Sequence, residues 1–247
     1  MSVSIEIAQF LACNNTAPPT HLGQRYDTKQ FLPEAGNTVV CPLDFNVPTH
    51  GAVIEARRRM LALPGADRFI YTPKSSLHMT LFEGVIETRR IPNAWPADFD
   101  LSASVESATE VILRRLAEFS PPPGFAVRVA GLRPTGLILE GATEEDKASM
   151  QAWREELTDP FGYRHDNHDS YRYHMTFAYP IEWLPDSSRS QWESEFASIL
   201  AELVDAAPVI PLRWPAFCRF ADMNRFDELF VIEPQKPQER KRQFEKL

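Results

Sequence analysis

The sequence has little cysteine and no long hydrophobic run, and both absences exclude classes of protein. Its three cysteines are far apart and odd in number, and they form no CxxC pair, so neither a disulfide framework nor a structural zinc site is indicated. No apolar segment reaches the roughly 18 residues of a membrane span. The N-terminus carries neither the basic start nor the apolar stretch of a secretory signal. We therefore expect an intracellular, cytoplasmic protein with no membrane partner.

Glycine is also scarce, with 10 residues against 21 prolines, and none of the glycine-rich catalytic motifs is present. There is no Walker loop, no G-x-G-x-x-G dinucleotide fingerprint and no G-x-S-x-G nucleophile elbow. Positive charge does not dominate either, because the net charge is -8 and the pI is about 5.3. An extended nucleic-acid surface needs clustered Lys and Arg, so we expect no such surface, whereas a small anionic substrate held by a few local donors is compatible with this charge.

Proline marks the boundaries within the chain. Residues 1–36 contain several Pro and Gly with little periodicity, which predicts an irregular N-terminal arm. Residues 37–235 are predicted to form a single domain with an internal break at Ser120–Gly124, where three prolines are consecutive. Residues 236–247 are polar and basic, and we expect a solvated tail there. We expect the domain to act as a monomer.

Helical and strand-like segments alternate along the domain, but not as strict βαβ units. A strand, a helix and a strand with a shared motif occur both before and after the proline break. This repetition predicts an α+β fold of two related, pseudo-symmetric lobes, with antiparallel-rich sheets facing a central cleft. Helices are predicted over residues 50–63, 107–119, 143–157 and 190–204. Strands are predicted over residues 37–47, 68–72, 76–84, 125–132, 136–142, 171–180, 209–214, 216–222 and 228–234.

The shared motif is the tripeptide His-Met-Thr, which occurs once on each side of the break. The first copy is His78-Met79-Thr80-Leu81 and the second is His174-Met175-Thr176-Phe177. Residues two apart on a strand point to the same face, so the His and Thr of each copy project together. The Met and the following apolar residue point the other way and are suited to a core. Each motif thus anchors its strand on one side and presents an imidazole and a hydroxyl on the other.

Two such strands brought together predict a site of phosphate size. Imidazole is the side chain whose ordinary pKa, about 6.5, suits proton transfer near neutrality. In-line displacement at phosphorus requires attack and departure on opposite sides. One His can remove a proton from the nucleophile while the other protonates the leaving oxygen, and the two hydroxyls can donate to the phosphoryl oxygens. A single H-x-T is a weak signal, but two copies in matching strand contexts are a much stronger one.

The paired motif resembles the signature of the two-histidine (2H) phosphoesterase superfamily, which includes the LigT-like RNA ligase/cyclic phosphodiesterases. That signature is a pair of H-x-[TS]-φ motifs, φ being apolar, in the two halves of a bilobal α+β fold. The stretches that begin at Tyr26 and Tyr171 are similar to a poorly characterised branch of the superfamily. The resemblance implies a cyclic phosphodiesterase of 2′,3′-cyclic phosphates, other cyclic phosphodiesters or RNA ends, without a metal or another cofactor. It also implies roles for the four motif residues: a general acid/base pair, His78 and His174, and two phosphate ligands, Thr80 and Thr176.

Four further residues are candidates for substrate binding. Phe82 lies on the face of the first motif if the strand stays regular, and it could stack on a base or pack in the core. Tyr179 lies three residues after Thr176 and is as suited to a core as to substrate contact. Tyr26 and Lys74 lie in loops that could reach the site, where Lys74 would supply a positive charge beside the first motif, although most loop lysines are simply solvated.

Three other functions remain as alternatives. The segment 165–169 contains His165 and His168 with two Asp, and a metal-dependent hydrolase could use it, although polar turn chemistry alone explains such a loop. A thiol hydrolase would need Cys41 or Cys218, but both are in apolar runs typical of buried, unreactive thiols. The third alternative is a module that binds a nucleotide or an RNA end without turnover.

Overall fold

The computed structural model describes residues 3–233, so the predicted polar tail, 236–247, lies outside the described residues. Ten strands and four helices are found in the described range. The helices are α1 (His50–Leu61), α2 (Val105–Glu118), α3 (Glu144–Phe161) and α4 (Arg189–Ala206). The strands are β1 (Ser4–Ile5), β2 (Gly36–Pro42), β3 (Phe69–Tyr71), β4 (His78–Ile86), β5 (Val127–Arg133), β6 (Gly136–Gly141), β7 (His174–Thr176), β8 (Ala178–Pro180), β9 (Ala216–Asp222) and β10 (Arg225–Val231).

Eight of these strands form one sheet in the order β1-β5-β6-β7-β4-β2-β9-β10. Every neighbouring pair is antiparallel except β1 and β5, which are parallel. The predicted α+β class with an antiparallel-rich sheet is confirmed. The two motif-bearing strands, β4 and β7, are direct neighbours at the centre of this sheet. The two halves therefore meet edge to edge in one continuous sheet, and the site lies over one face of it.

The two halves of the sheet have the same order of elements. In the first half β2 leads through α1 to β4, and β2 pairs with β4. In the second half β6 leads through α3 to β7, and β6 pairs with β7. The strand pair β9 and β10 extends the first half, and β5 and β1 extend the second. The repeated strand–helix–strand pattern in the sequence thus corresponds to two matching units related across the β4–β7 junction.

The helices pack together against one face of the sheet and bury the main hydrophobic core. Helix α1 packs against α4 and α2 against α3, while α2, α3 and α4 also contact the strands. The two motif methionines, Met79 and Met175, and the following Leu81 and Phe177 are buried in this core. The alternation of apolar residues along β4 and β7 therefore directs the imidazoles and hydroxyls to the opposite face.

The opposite face is partly covered by the N-terminal arm and a small second sheet. Strands β3 and β8 pair antiparallel in this two-stranded sheet. The arm begins with β1 in the main sheet and later contributes Tyr26 and Phe31 to a second, smaller apolar cluster with Ile86 and Phe220. The covering layer leaves a pocket above the centre of the main sheet. No helix within residues 3–233 is long and apolar enough to cross a membrane.

Side-chain caps mark the start of two of the four helices, α2 and α3. Thr143 caps α3 with a full capping box, in which its hydroxyl accepts from the Asp146 N–H at 3.1 Å. Helix α2, however, begins after Ser104, whose hydroxyl accepts from the Ser107 N–H, so Ser107 is inside the helix and does not cap it. The predicted strand over 209–214 contributes only two isolated bridges, at Ile210 and Leu212.

Candidate active site

The pairing of β4 with β7 brings the two motifs together. Met79 is directly opposite Met175 in the antiparallel register. The same register places His78 across from Thr176 and Thr80 across from His174, so that each imidazole has the other motif's hydroxyl as its cross-strand neighbour. All four side chains line the pocket.

Both imidazoles are oriented by the same local hydrogen bond. His78 Nδ1 lies 2.6 Å from the Ser76 carbonyl oxygen, and His174 Nδ1 lies 3.0 Å from the Arg172 carbonyl oxygen. A carbonyl can only accept, so each Nδ1 carries the hydrogen and donates it. The neutral form of each ring therefore has its lone pair on Nε2. The two rings are thus held in equivalent orientations with the basic nitrogen free for chemistry.

The surroundings of both imidazoles favour the neutral form. The pKa of His78 is lowered from 6.5 to about 4, mainly by burial and to a smaller extent by the nearby His174, while the hydrogen bond to Ser76 opposes the shift. Burial also lowers the pKa of His174, and the positive charge of Arg133 adds to this effect. Both rings are therefore neutral near pH 7 in the unliganded site, and an anionic phosphate between them would favour protonation.

A β-bulge in β4 decides which residues after Thr80 reach the pocket. Thr80 pairs with Val40 and Phe82 with Val39, so Leu81 is an extra residue in β4. Phe82 is consequently fully buried, and its ring packs 4.7 Å from that of Phe161. The predicted stacking of Phe82 on a base is therefore wrong, because the bulge turns this ring away from the His/Thr face.

Glu83 takes the place in the pocket that a regular strand would give to Phe82. Its carboxylate accepts from Arg89 Nη1 at 2.7 Å, and Arg89 lowers the carboxyl pKa against the effect of burial, which raises it. The Glu83 carbonyl accepts from the Tyr163 hydroxyl and from His165 Nε2. Glu83 is thus fixed on both its main chain and its side chain. The sequence does not indicate Glu83, because the pattern of apolar and polar residues does not show where a β-bulge forms.

Tyr179 lines the pocket, and Tyr26 stands behind it. Strand β7 ends at Thr176 and β8 begins at Ala178, so the chain turns between them and brings Tyr179 back over the site. The Tyr26 ring is 5.2 Å from the Tyr179 ring, and its hydroxyl donates to the Pro180 carbonyl at 2.8 Å. Tyr26 is buried and is not part of the pocket lining. We predicted that Tyr26 contacts the substrate, but in the structure it instead packs against Tyr179 and supports it.

Lys74 does not reach the pocket. It begins a short 3-10 helix, Lys74–Ser76, directly before β4, and its side chain is exposed. The prediction that Lys74 supplies a positive charge to the site is wrong, because this turn faces solvent while the following residues enter the sheet. Ser76, two residues later, lines the pocket and orients His78.

The cation that lines the pocket is Arg25, from the N-terminal arm. Arg25 Nε donates to the Glu34 carboxylate at 2.6 Å, and Glu34 also accepts from the Thr88 hydroxyl at 2.7 Å. The guanidinium is hydrogen-bonded to the Tyr179 hydroxyl as well. The sequence indicates the neighbouring Tyr26 but not Arg25, because an arginine in an irregular arm has no local pattern that would place it in a site.

Two aromatic residues complete the walls of the pocket. The Phe226 ring meets the His78 ring edge to face, with 4.3 Å between centroids. Tyr171 lies on the His174 side, with the Arg154 guanidinium 4.0 Å from its ring. The Tyr171 hydroxyl is buried and has no hydrogen-bond partner among residues 3–233. The pocket encloses an empty volume of about 670 Å³, which includes its open mouth.

The segment 165–169 lies beside the site and supports it. Both His165 and His168 are buried. His165 Nε2 is committed to the Glu83 carbonyl at 2.8 Å, and His168 Nε2 is 3.2 Å from the Glu155 carboxylate. Within residues 3–233 no group of three or more His, Cys, Asp or Glu side chains is arranged to hold a metal ion. His165 thus bonds the main chain of β4, and His168 packs near the Phe82 ring of the same strand.

The fold and the paired motifs define a protein of the two-histidine phosphoesterase class. A family model described as 2H-phosphodiest, domain of unknown function (DUF1868), matches residues 25–138. The chain is also similar to a crystallised conserved protein of unknown function, ATU0111 from Agrobacterium tumefaciens str. C58, at 42% identity and a TM-score of 0.90. That match covers 92% of this chain and 98% of the other. No curated protein matches. The chain belongs to the 2H-phosphodiest family.

Proposed function

We propose that the protein is a metal-independent phosphodiesterase that acts on a cyclic phosphodiester, such as a 2′,3′-cyclic nucleotide or the cyclic end of a short RNA. The observation that carries this proposal is the pair of imidazoles on adjacent strands. Each donates through Nδ1 to the carbonyl two residues before it and keeps Nε2 free. Two basic nitrogens held in the same way on both sides of one pocket suit a reaction that removes one proton and delivers another.

The two imidazoles account for both proton transfers that the reaction requires. A water molecule attacks phosphorus in line, and its proton passes to the Nε2 of one neutral imidazole as the new P–O bond forms. The Nε2–H of the other, protonated imidazole delivers its proton to the ribose oxygen as the P–O bond to that oxygen breaks. The product is a phosphate monoester, and exchange with solvent restores the two protonation states.

The hydroxyls serve the charge that develops on the phosphoryl group. Thr80 and Thr176 each present one donor to the space between the rings, where the non-bridging oxygens would be. The crossed arrangement, with Thr176 opposite His78 and Thr80 opposite His174, gives each side of the phosphate one imidazole and one hydroxyl. Tyr179 lies above the same space and would limit the access of bulk water.

The test is a turnover assay in EDTA with 2′,3′-cyclic nucleotides and short RNAs that end in a cyclic phosphate. His78→Ala and His174→Ala should each lower the rate at least about 100-fold, the usual contribution of a positioned acid or base. His50→Ala is the matched control, because His50 Nδ1 makes the same kind of bond to the Val47 carbonyl at 2.8 Å but lies outside the pocket. It should retain full activity.

The proposal fails if turnover needs an added metal ion or survives in both pocket variants. If none of these substrates is turned over while nucleotides still bind, the site is a binding module and the catalytic proposal is overturned for cyclic phosphodiesters of this kind.

A further inference from the structure

The end of the pocket beyond Thr80 carries a hydrogen-bond acceptor that faces no protein donor. Glu83 is held through Oε2 by Arg89, and within the described residues no hydrogen bond engages Oε1. The side chain is 36% exposed, and it lines the pocket. The bulge at Leu81 is what brings this carboxylate to the pocket face. Tyr163 and His165 both donate to the Glu83 carbonyl and so fix its main chain. The Oε1 atom of the side chain is therefore a fixed acceptor that is available to a ligand.

A donor faces the same space from the covering layer. Arg25 is held through Nε by the buried Glu34 and is hydrogen-bonded to the Tyr179 hydroxyl, and the rest of its guanidinium N–H donors remain for a ligand. Arg25 and Glu83 both line the pocket but make no ion pair with each other. An Arg fork and a carboxylate oxygen in one pocket, each fixed from behind by its own partner, form a preorganised donor–acceptor pair.

The walls at this end are apolar. Phe220, Ile86 and Met223 line the pocket here, and the Phe226 ring, 5.2 Å from the Phe220 ring and tilted to it by 47°, extends this surface to His78. An apolar wall with a donor and an acceptor beside it fits a heteroaromatic ring that is packed on one face and recognised by its edge. The position along β4 is also suitable, because Glu83 follows Thr80 by three residues, about 10 Å or less along a strand. A ribose cyclic phosphate at the two imidazoles would direct its base towards this end.

We propose that this end of the pocket is a base-reading site for guanine, with Glu83 accepting from the N1–H and N2–H groups and Arg25 donating to O6. The assignment rests on the proposed function for the position of the phosphate. Guanine has an acceptor next to two donors along one edge, which matches an Arg fork beside a carboxylate. Adenine lacks the O6 acceptor, and uracil presents acceptors at both sides of its one donor. Cytosine offers Glu83 a single donor and is the nearest competitor.

The test is the binding of the four nucleoside 3′-monophosphates, measured by isothermal titration at one pH without any need for turnover. Guanosine 3′-monophosphate should bind at least about tenfold more tightly than the other three, as expected for a well-made base contact. Glu83→Gln should remove this preference, because the amide presents a donor to a guanine edge that already has two. Binding of the other three nucleotides should stay within about twofold.

Two controls separate base reading from structural damage. Glu87→Gln breaks a neighbouring ion pair, Glu87 with Arg90, outside the pocket, and should leave the guanine preference intact. Arg25→Lys keeps the charge but loses the fork, and should weaken guanine binding selectively. Thermal denaturation of each variant checks that the fold is retained.

The outcomes distinguish this inference from the proposed catalytic function. Equal affinity for the four nucleotides, or a guanine preference that persists in Glu83→Gln, overturns base reading even if cyclic nucleotides are hydrolysed. A guanine preference that depends on Glu83 supports base reading even if no cyclic phosphodiester is turned over, in which case only the catalytic proposal fails.

Discussion

At the scale of single residues, the imidazole of each motif is positioned by its own backbone. Nδ1 of His78 and of His174 meets the carbonyl two residues earlier, at Ser76 and Arg172. This contact is local, so any strand that presents the motif after a turn can reproduce it. That is why a repeated tripeptide in the sequence was enough to predict two equivalent candidate acid/base groups.

The pKa shifts of these imidazoles predict the pH dependence of the rate. One ring must be neutral to act as base and the other protonated to act as acid. The pKa of His78 is lowered to about 4 and that of His174 is also lowered below 6.5, so loss of the protonated acid begins below pH 6.5. The bell-shaped profile of kcat/KM for a cyclic phosphodiester, which keeps one negative charge throughout, should therefore peak below pH 6.5.

Steady-state rates between pH 4 and 9 check this. A plateau that extends above pH 7 would contradict the assignment of these two imidazoles as the acid/base pair, whereas His50→Ala should leave the profile unchanged.

At the scale of elements, helix α3 illustrates a local signal that the structure reproduces. Thr143 and Asp146 form a reciprocal cap, with the Asp146 carboxylate accepting from the Thr143 N–H at 3.0 Å. The helix ends where Gly162 adopts a φ of 72°, a conformation that favours glycine. Its end is beyond the predicted 157, because Pro160 is accommodated in the last turn. Caps are read from a few neighbouring residues, so they can be predicted, whereas the last turn depends on packing.

Thr143→Ala should lower the free energy of unfolding by about 1 kcal/mol, since it removes the N-cap acceptor. Urea denaturation measures this. Thr158→Ala, which removes a hydroxyl bonded to a carbonyl within the same helix, is the matched control and should have a smaller effect. Because Thr143 is outside the pocket lining, turnover should not change. A loss of activity without a loss of stability would contradict the structural role.

Tyr26→Phe tests how the arm supports β8. Removing the hydroxyl leaves the Pro180 carbonyl without its donor, which should cost about 1–3 kcal/mol of stability. The ring stays packed on Tyr179, so kcat/KM should change little. Tyr71→Phe is the control within the small sheet, because the Tyr71 hydroxyl is buried without a hydrogen-bond partner among the described residues. Equal destabilisation by both substitutions would refute the contribution of the Tyr26 bond.

At the scale of the whole molecule, one sheet carries both halves, and the charge of the chain limits what it can bind. The net charge is -8, and two cations near the pocket are paired with carboxylates, Arg25 with Glu34 and Arg89 with Glu83. The acidic net charge and these pairs therefore favour one phosphate and its base over a long polyanion as the ligand.

An RNA of about ten nucleotides with a cyclic-phosphate end should accordingly bind less than about tenfold more tightly than the corresponding mononucleotide. The logarithm of its affinity should fall with the logarithm of salt concentration with a slope of no more than about −2. Fluorescence anisotropy at several salt concentrations measures both. A slope near −5 would instead reveal a phosphate-binding surface along the protein.

The sequence by itself determined the α+β class, the capped helix α3, and the orientation of the two imidazoles and hydroxyls, because each depends on neighbours a few residues away. The tertiary structure alone decided the remainder of the site. Glu83 lines the pocket and Phe82 lies in the core because of a bulge that forms only when β4 pairs with β2. Arg25 entered the pocket, and Lys74 did not, because the arm folds back over a sheet whose strands are far apart in the chain. Long-range pairing has no periodic signature, so these residues could be identified only once the strands were side by side.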